Sequence, residues 1–471
     1  MRIFVIPGYC LWLAAGSVFL EAEAIHLKNG DILYADQVRE AGQNFEYEVG
    51  DNSFTIPKSK VQSIEATTPP PERNLPVASE VPAFTPQASL ADEPELLTKI
   101  AGNGQVDRSA LARIESLGNP ARTAVAFYIA GRSEYEGGKF EQARRDFETA
   151  LHADPENPAV LNYYAALLVR TGNARQAVTY AERAVRIAPT SPDALAVLGY
   201  AQFAADHPRE AVESWKRSLA LRPDDSLRTM LARAERESEA EGNYSERESG
   251  HFVLRYEGKQ SSESFRAQLL ATLEADYQEL AREFASEPRA TIAVVLYTNQ
   301  TFFDVTRAPS WTGALNDGKL RIPLEGLETV TPELARVLKH ELAHSFINQL
   351  TTGRCPQWLN EGLAQMLEPQ SLGPRAPRLA ELFAAGREAP LNTLEGQFSS
   401  FTGLEANLAY DESLATVEYL RNHYGMSDLL RLLERLGQGD SVESALRSTI
   451  HSDYRQLEDE VRGYLTGAMS K

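Results

Sequence analysis

Four series of residues recur along the middle of this chain at one step of 34 positions: Pro155, Pro189 and Pro223; Ala143, Ala177 and Ala211; Gly131, Ala165 and Gly199; Ala150, Ala184 and Ser218. A step of that length holds one pair of helices and its turns, a unit that cannot bury its apolar face alone and so must stack on copies of itself. The small residues fall where paired helices would cross closely, and each proline ends a unit. Three units cover roughly 121 to 222, and SLRTMLARAERESEAEG reads as a helix capping the stack. Asp206, His207 and Pro208 stand where the turn within the third unit belongs, which makes that unit irregular.

At this period the segment resembles the tetratricopeptide repeat family. That resemblance implies a short curved solenoid, used either as a docking surface for a peptide or partner or as a spacer that orients its neighbour.

The rest of the 471 residues leaves room for one or two further domains. Residues 25–66 alternate in short runs (IHLKNGDILYA, NFEYEV, SFTIP) broken by Asn29-Gly30 and by Gly50-Asp51-Asn52, which predicts a small barrel of strands. Residues 67–95 are proline-rich and without pattern, as expected of an extended linker. The helical repeat domain is expected over 96–240. A mixed domain is expected over 245–471, with a core at 290–370 and a helical part at 371–471. In it GHFVLRY, ATIAVVLYT and GKLRIPLEG read as strands and SFRAQLLATLEADYQELAREF as an amphipathic helix.

MRIFVIPGYCLWLAAGSVFLEAEA has an early cation, an apolar run and Ala22-Glu23-Ala24 as an A-x-A site, the layout of a secretory signal peptide over 1–24 cleaved after Ala24. An uncleaved anchor is the rival reading, weakened by Pro7. Removal of Cys10 with that segment leaves Cys355 alone, so the mature fold stands without an internal disulfide. A formal charge of -19 argues against nucleic acid as a partner, because phosphate binding needs a basic surface.

The chemistry concentrates in HELAHSFINQLTTGRCPQWLNEGLA, residues 340–364. Thr331, Pro332 and Glu333 are good first residues of a helix running to Thr352-Gly353. On it His340 and His344 lie one turn apart and face the same side, while Glu341 sits about 100° round, where it reaches a water without being a ligand. This spacing suits zinc hydrolysis. Zinc needs a third protein ligand, and Ile347 and Leu350 occupy the positions at which a metzincin would place its glycine and third histidine. Glu361, in WLNEGLA, is the remaining candidate. Two surface histidines on a structural helix are the alternative.

HELAHSFINQL followed by WLNEGLA resembles the gluzincin metallopeptidases. The run APSWTGALNDGKLRIPL, then HELAH, then PQWLNEGLAQ, is similar to the peptidase MA-like domains found joined to tetratricopeptide repeats. The resemblance covers roughly 245–430. It implies an α+β metallopeptidase domain holding one Zn2+ through His340, His344 and Glu361, with Glu341 as general base. LAYDESLATVEYL resembles the segment that carries an oxyanion-stabilising tyrosine in related aminopeptidases, so Tyr410 takes that role by resemblance, with His423 and Tyr424 as alternatives. It further implies that extended substrate pairs with an edge strand near Gly313, Ala314 and Lys319 to Ile322. Asn360 is expected to support the ligands. Cys355 has the chemistry of a zinc ligand, but it precedes Pro356 near a helix start, which argues against that role, and Trp358 and Leu359 are expected in the core. No G-x-M-E-N-like motif lies between 300 and 335, which favours an endopeptidase over an exopeptidase.

The expected architecture is therefore multidomain: a small β domain, an all-α repeat solenoid and an α+β gluzincin-like domain. The expected function is an exported zinc peptidase acting on protein or peptide, with a further protein partner on the repeats and no membrane span after signal cleavage. Two other readings stay open: an envelope scaffold acting through its repeats, and hydrolysis of a non-peptide amide. The repeats or the linker also raise latency as a question, since they adjoin the peptidase domain in the chain.

Overall fold

The computed structural model describes residues 22–28, 32–35, 37–49, 52–67, 94–102, 105–258, 260–307, 314–324, 327–368, 372–396, 398, 401 and 403–468. The signal-peptide reading up to residue 21, most of the proline-rich linker and Gly313 lie outside them. No helix among the described residues is long and apolar enough to cross a membrane. The chain divides into two compact units, Met1–Arg73 and Asn74–Lys471.

The first unit has six strands: β1 (Ala22–Leu27), β2 (Ile32–Ala35), β3 (Gln37–Ala41), β4 (Asn44–Val49), β5 (Asn52–Pro57) and β6 (Val61–Thr67). They form two antiparallel three-stranded sheets, ordered β2-β1-β6 and β3-β4-β5, around Ile25, Ile56 and Val61. The expected small barrel of strands takes the form of these two sheets, and among the described residues no ladder joins one to the other. The first strand also begins earlier than expected, because Ala22, Glu23 and Ala24 already pair with Thr67, Ala66 and Glu65.

The second unit opens with α1 (Pro94–Ala101) and α2 (Arg108–Ser116), followed by three helix pairs and a cap. The pairs are α3 (Pro120–Glu136) with α4 (Phe140–Ala153), α5 (Pro158–Arg170) with α6 (Ala174–Ile187), and α7 (Pro192–Ala204) with α8 (Pro208–Leu221); α9 (Asp225–Ala240) is the cap. The first helix of each pair starts alike, with Asn119, Asn157 or Ser191 capping a backbone N–H and proline next in line. The series of small residues has the expected cause. A Cβ on Gly131 would lie 2.7 Å from the Phe147 ring and one on Gly199 2.3 Å from the Trp215 indole, so only glycine lets these helices cross at that distance. The turns within the units follow the same step: Gly138, Gly172 and Asp206 have φ of 71°, 76° and 69°.

The remainder begins β7 (Ser245–Glu248), β8 (Phe252–Tyr256), α10 (Glu263–Phe284), β9 (Ile292–Thr298), α11 (Asn299–Thr306), β10 (Leu315–Asn316), β11 (Leu320–Leu324). The helical part follows: α12 (Pro332–Thr351), α13 (Gln357–Leu367), α14 (Ala376–Ala384), α15 (Gly403–Tyr424), α16 (Met426–Gly437), α17 (Val442–Ile450) and α18 (Tyr454–Ala468). The five strands order as β10-β11-β9-β8-β7, parallel in the middle and antiparallel at both edges. Strand alternation divides the sheet's side chains. Ile292, Val294, Leu296, Leu320, Ile322 and Leu324 enter the large core shared with α10 and α12. Val295, Tyr297 and Arg321 point the other way, towards α9 and α11. Both faces are covered, which is why the β9 sequence is apolar without interruption. The sheet is therefore sandwiched between the helix carrying the two histidines and the cap of the repeats.

Candidate metal centre

Helix α12 starts as its sequence dictates. The Thr331 hydroxyl accepts from the Leu334 N–H at 3.1 Å, Pro332 is first in the helix, and Thr352 (φ 51°) and Gly353 (φ 74°) end it in left-handed conformations. Pro356 then starts α13, which returns Glu361 to the two histidines. Gly362 is what lets α13 lie close to α15, since a Cβ there would fall 2.4 Å from the Ser413 carbonyl oxygen. Trp358 and Leu359, on the same helix, are fully buried in the core.

His340, His344 and Glu361 each offer a ligand atom, and these atoms all lie within 4.8 Å of one another. His340 Nε2 is 3.3 Å from one Glu361 oxygen and His344 Nε2 is 3.9 Å from the other. The oxygen nearer His340 is buried yet accepts no well-formed hydrogen bond. Two imidazole nitrogens and an unsatisfied buried carboxylate oxygen converge on one point, and that donor set suits a divalent zinc. Desolvation penalises charge on Glu361, but His344, His340 and Gln357 outweigh it and hold its pKa below the ordinary value. Burial raises the pKa of Glu341, with Glu361 adding to the effect and the histidines opposing it.

The outer contacts of the ligands are built in. His344 Nδ1 lies 2.9 Å from Asn360 Oδ1, Gln357 Nε2 donates to Glu361 at 2.7 Å, and His340 Nδ1 is 3.5 Å from Glu368, which is held in turn by Arg336 at 2.9 Å. Asn360 is where the sequence placed it. Glu368 was missed: it stands seven residues past Glu361, outside the motif, and nothing in the sequence announced that its side chain turns inward. Asn316 was missed likewise. Its amide nitrogen donates to the Glu341 carbonyl at 2.6 Å and to the Ser345 hydroxyl at 2.7 Å.

Tyr410, on α15, packs its ring edge-on against Phe398 at 5.4 Å, and its carbonyl accepts from Gln365 on the helix that carries Glu361. Burial, then the charges of Glu361 and Glu341, raise the pKa of its phenol well above the ordinary value. The two alternatives are elsewhere: the Tyr424 hydroxyl points to Glu460 at 3.4 Å and the His423 ring stacks on Tyr419. Cys355 is not in the ligand group found among the described residues, and burial raises its thiol pKa.

The edge-strand expectation needs correcting. β11 is internal, with β9 on one side and β10 on the other, and Lys319 is buried in ion pairs with Asp206 and Glu237. The edge beside α12 is β10, so Leu315 and Asn316 replace Lys319 to Ile322 as the strand next to Glu341.

With this geometry in hand, comparison with known proteins decides the family of the domain. Residues 274–467 match the family model described as Peptidase MA superfamily. This segment is a Peptidase MA superfamily domain. Residues 128–192 match the tetratricopeptide repeat model. No curated protein matches the chain. Among solved structures, the first tetratricopeptide domain of Spaghetti (RPAP3) bound to an HSP90 peptide is 23% identical, with a TM-score of 0.24 over 25% of this chain and 94% of that one. The N-terminal domain of stress-induced protein-1 from C. elegans is 24% identical, with a TM-score of 0.23 over 25% and 97%.

Proposed function

We propose that the chain is an exported zinc-dependent peptidase, an endopeptidase on protein or peptide substrates, held beside a repeat module that meets other proteins. The observation that carries this reading is the convergence of His340, His344 and the unsatisfied Glu361 oxygen next to a buried Glu341. Zinc bound there would act as a Lewis acid on the scissile carbonyl and lower the pKa of a water. The raised pKa of Glu341 brings its carboxylate closer to the proton affinity a general base needs: it takes the proton of the attacking water and delivers it to the leaving amine. Tyr410, protonated, donates a hydrogen bond to the oxygen on which negative charge develops. Asn360 and Glu368 fix the tautomers and ring orientations of the two histidines. Export rests on the layout of residues 1–24.

The first helices of the second and third repeats offer no open face. Val160–Leu168 and Asp193–Ala201 contain no exposed residue, so a partner meets the repeats on their second helices.

The test is the metal content of purified mature chain together with two variants. Glu361→Gln is expected to lose most of about one zinc per chain. Glu341→Gln is expected to keep zinc and lose hydrolysis of a casein probe. Zinc absent from wild type after supplementation sinks the reading, and so does a Glu341→Gln variant that cleaves as fast as wild type. Tyr410→Phe is expected to retain zinc and to lower turnover about 100-fold.

A further inference from the structure

Between the repeats and the sheet lies a cluster of charges that the peptidase chemistry does not use. From α9, Glu237 accepts from Arg321 at 2.8 Å and pairs with Lys319, Arg233 pairs with Asp317, and Glu241 is 3.4 Å from Arg321. From the third repeat turn, Asp206 pairs with Lys319 and with Arg255 at 2.7 Å. Arg321 closes the cluster on its own side, reaching Asp317 at 2.9 Å and the Tyr297 hydroxyl at 2.6 Å. Glu237 and Arg321 are 0% and 1% exposed, so these are interior bonds and not a solvated rim.

Asp317 is the next residue after Asn316, and the two share the tight turn between β10 and β11. Every polar atom of the Asn316 side chain is committed. Its oxygen accepts from the Gly318 N–H at 3.1 Å, which closes the turn, while its nitrogen donates both bonds to α12. The chain of contact therefore runs from the repeat cap through Arg233 and Glu237 to Asp317 and Arg321, then through Asn316 to the main chain of Glu341. Two further ties run parallel to it. The Gly138 turn is packed against Arg354, where a Cβ would overlap the guanidinium, and the Gly172 turn lies against Gln349 in the last turn of α12. All three repeat turns, one from each unit, thus rest on the peptidase domain.

We propose that Asn316 is a positioning residue for Glu341, and that the repeat cap sets its place through Arg233 and Glu237, which makes the repeats a fixed part of the active-site framework. This deepens the peptidase reading and rests on it for its catalytic consequence, though not for its structural one. Asn316 touches none of the metal ligands, and in loaded protein the metal itself would tether His340 and His344, with Asn360 holding the His344 ring, so the loss of its two bonds falls chiefly on Glu341, which the metal does not hold.

The experiment uses the full mature chain and reads two quantities: hydrogen exchange of the α12 amides from 341 to 349 in metal-free protein, and zinc affinity with casein turnover in loaded protein. Asn316→Asp is the separating variant, because its carboxylate still accepts from Gly318 but donates nothing to α12. It is expected to speed α12 exchange at least tenfold and to lower turnover at least tenfold, with zinc affinity within threefold of wild type. Arg233→Gln, and Glu237→Gln if it folds, are expected to speed exchange at the same α12 amides, and each combined with Asn316→Asp to add less than twofold. Unchanged α12 exchange in Asn316→Asp overturns the proposal. So does faster exchange in Arg233→Gln confined to α9 and β11, or a full multiplicative effect in the double variant. If wild type cleaves no casein, the peptidase reading loses support while the exchange measurement still decides the positioning claim.

Discussion

The chain buries two clusters of ionisable groups on opposite sides of one sheet, and they are built on opposite rules. At the repeat junction Arg233, Arg255, Lys319 and Arg321 are ion-paired with Asp206, Glu237, Glu241 and Asp317, and Arg255 also with the more exposed Glu246. At the histidine pair, Glu341, Glu361 and Glu368 gather; among the described residues Arg336, on Glu368, is the guanidinium that pairs with them, and a buried Glu361 oxygen has only an imidazole beside it. Every carboxylate of the first cluster has a guanidinium or ammonium partner. The second has an excess of negative charge and donor atoms that a bound cation would complete. Burial alone therefore does not distinguish a joint from a site; the balance of charge does.

The largest break in this comparison is removal of the repeats. A 245–471 fragment loses Asp206, Arg233, Glu237 and Glu241 together, leaving Arg321 and Lys319 on the sheet with Asp317 alone. The same deletion removes α9 from the sheet face that carries Val295 and Tyr297 and opens that face to water, so the fragment is expected to lack a cooperative melt by circular dichroism where the full chain shows one. A fragment that melts near the full chain, and cleaves at the same rate, would show the junction to be dispensable and return the repeats to a detachable arm.

A sharper contrast uses one chemical change at both places. In metal-free protein, Glu237→Gln removes a carboxylate that two cations depend on and is expected to destabilise by about 3 kcal/mol in denaturant unfolding. Glu361→Gln relieves an anionic excess and is expected to change stability by less than about 1 kcal/mol. The pH dependence follows the same division. Cations outweigh desolvation to hold the Glu237 pKa below the ordinary 4.5, and so too for Asp317 below 3.8. Their contribution is present above those ordinary values and is lost as pH falls below them. Glu241 is shifted the other way by burial. Comparing wild type with Glu237→Gln between pH 6 and pH 3 (about the carboxylate range) isolates the residue: the difference in stability is expected to shrink as pH falls, and a constant difference refutes the assignment.

How much of this could be read from the chain alone depends on the range of the interaction. The repeat was legible because each unit restates the same local requirement, as the collisions at Gly131 and Gly199 make plain. The two histidines were legible because helical spacing fixes which side chains share a face, and Glu361, on the next helix, through the resemblance of WLNEGLA to the gluzincins. The junction was not. Glu237 and Glu241 sit in ERESEAEG, which reads as a solvated helix end, and their partners Lys319 and Arg321 are some 80 residues further on. Lys319 to Ile322 was misread as an edge for the same reason: strand order depends on β10, a strand of two residues that leaves almost no pattern.

Zinc itself gives the next largest effect. At a free concentration one hundred times its dissociation constant, it is expected to stabilise wild type by about 2.7 kcal/mol, seen as a raised melting temperature, and Glu361→Gln by far less. Equal shifts in both would mean that zinc binds elsewhere. Close behind is Gly362→Ala. Its Cβ meets the Ser413 carbonyl oxygen at 2.4 Å, so α13 must move away from α15 and take Glu361 with it. The expected loss is about 1–3 kcal/mol of stability, accompanied by weaker zinc binding. A loss of stability with zinc affinity untouched would show that Glu361 does not depend on that helix contact.

The smallest effect explains the irregular third unit. Where the first two turns have glycine, the third has Asp206 at φ 69°, a conformation that costs a residue with a side chain roughly 1 kcal/mol. Asp206 offsets that cost through Lys319 and Arg255, which glycine could not reach. Asp206→Asn tolerates the same backbone and removes only the charge, so its expected loss of about 1 kcal/mol measures the pairing of a partly exposed group. Asp206→Gly also relieves the backbone but raises the entropy of the unfolded chain, two effects of similar size and opposite sign. The two variants are therefore expected to unfold at closely similar denaturant concentrations. A glycine variant more stable than wild type would show that the turn retains aspartate for something other than the junction.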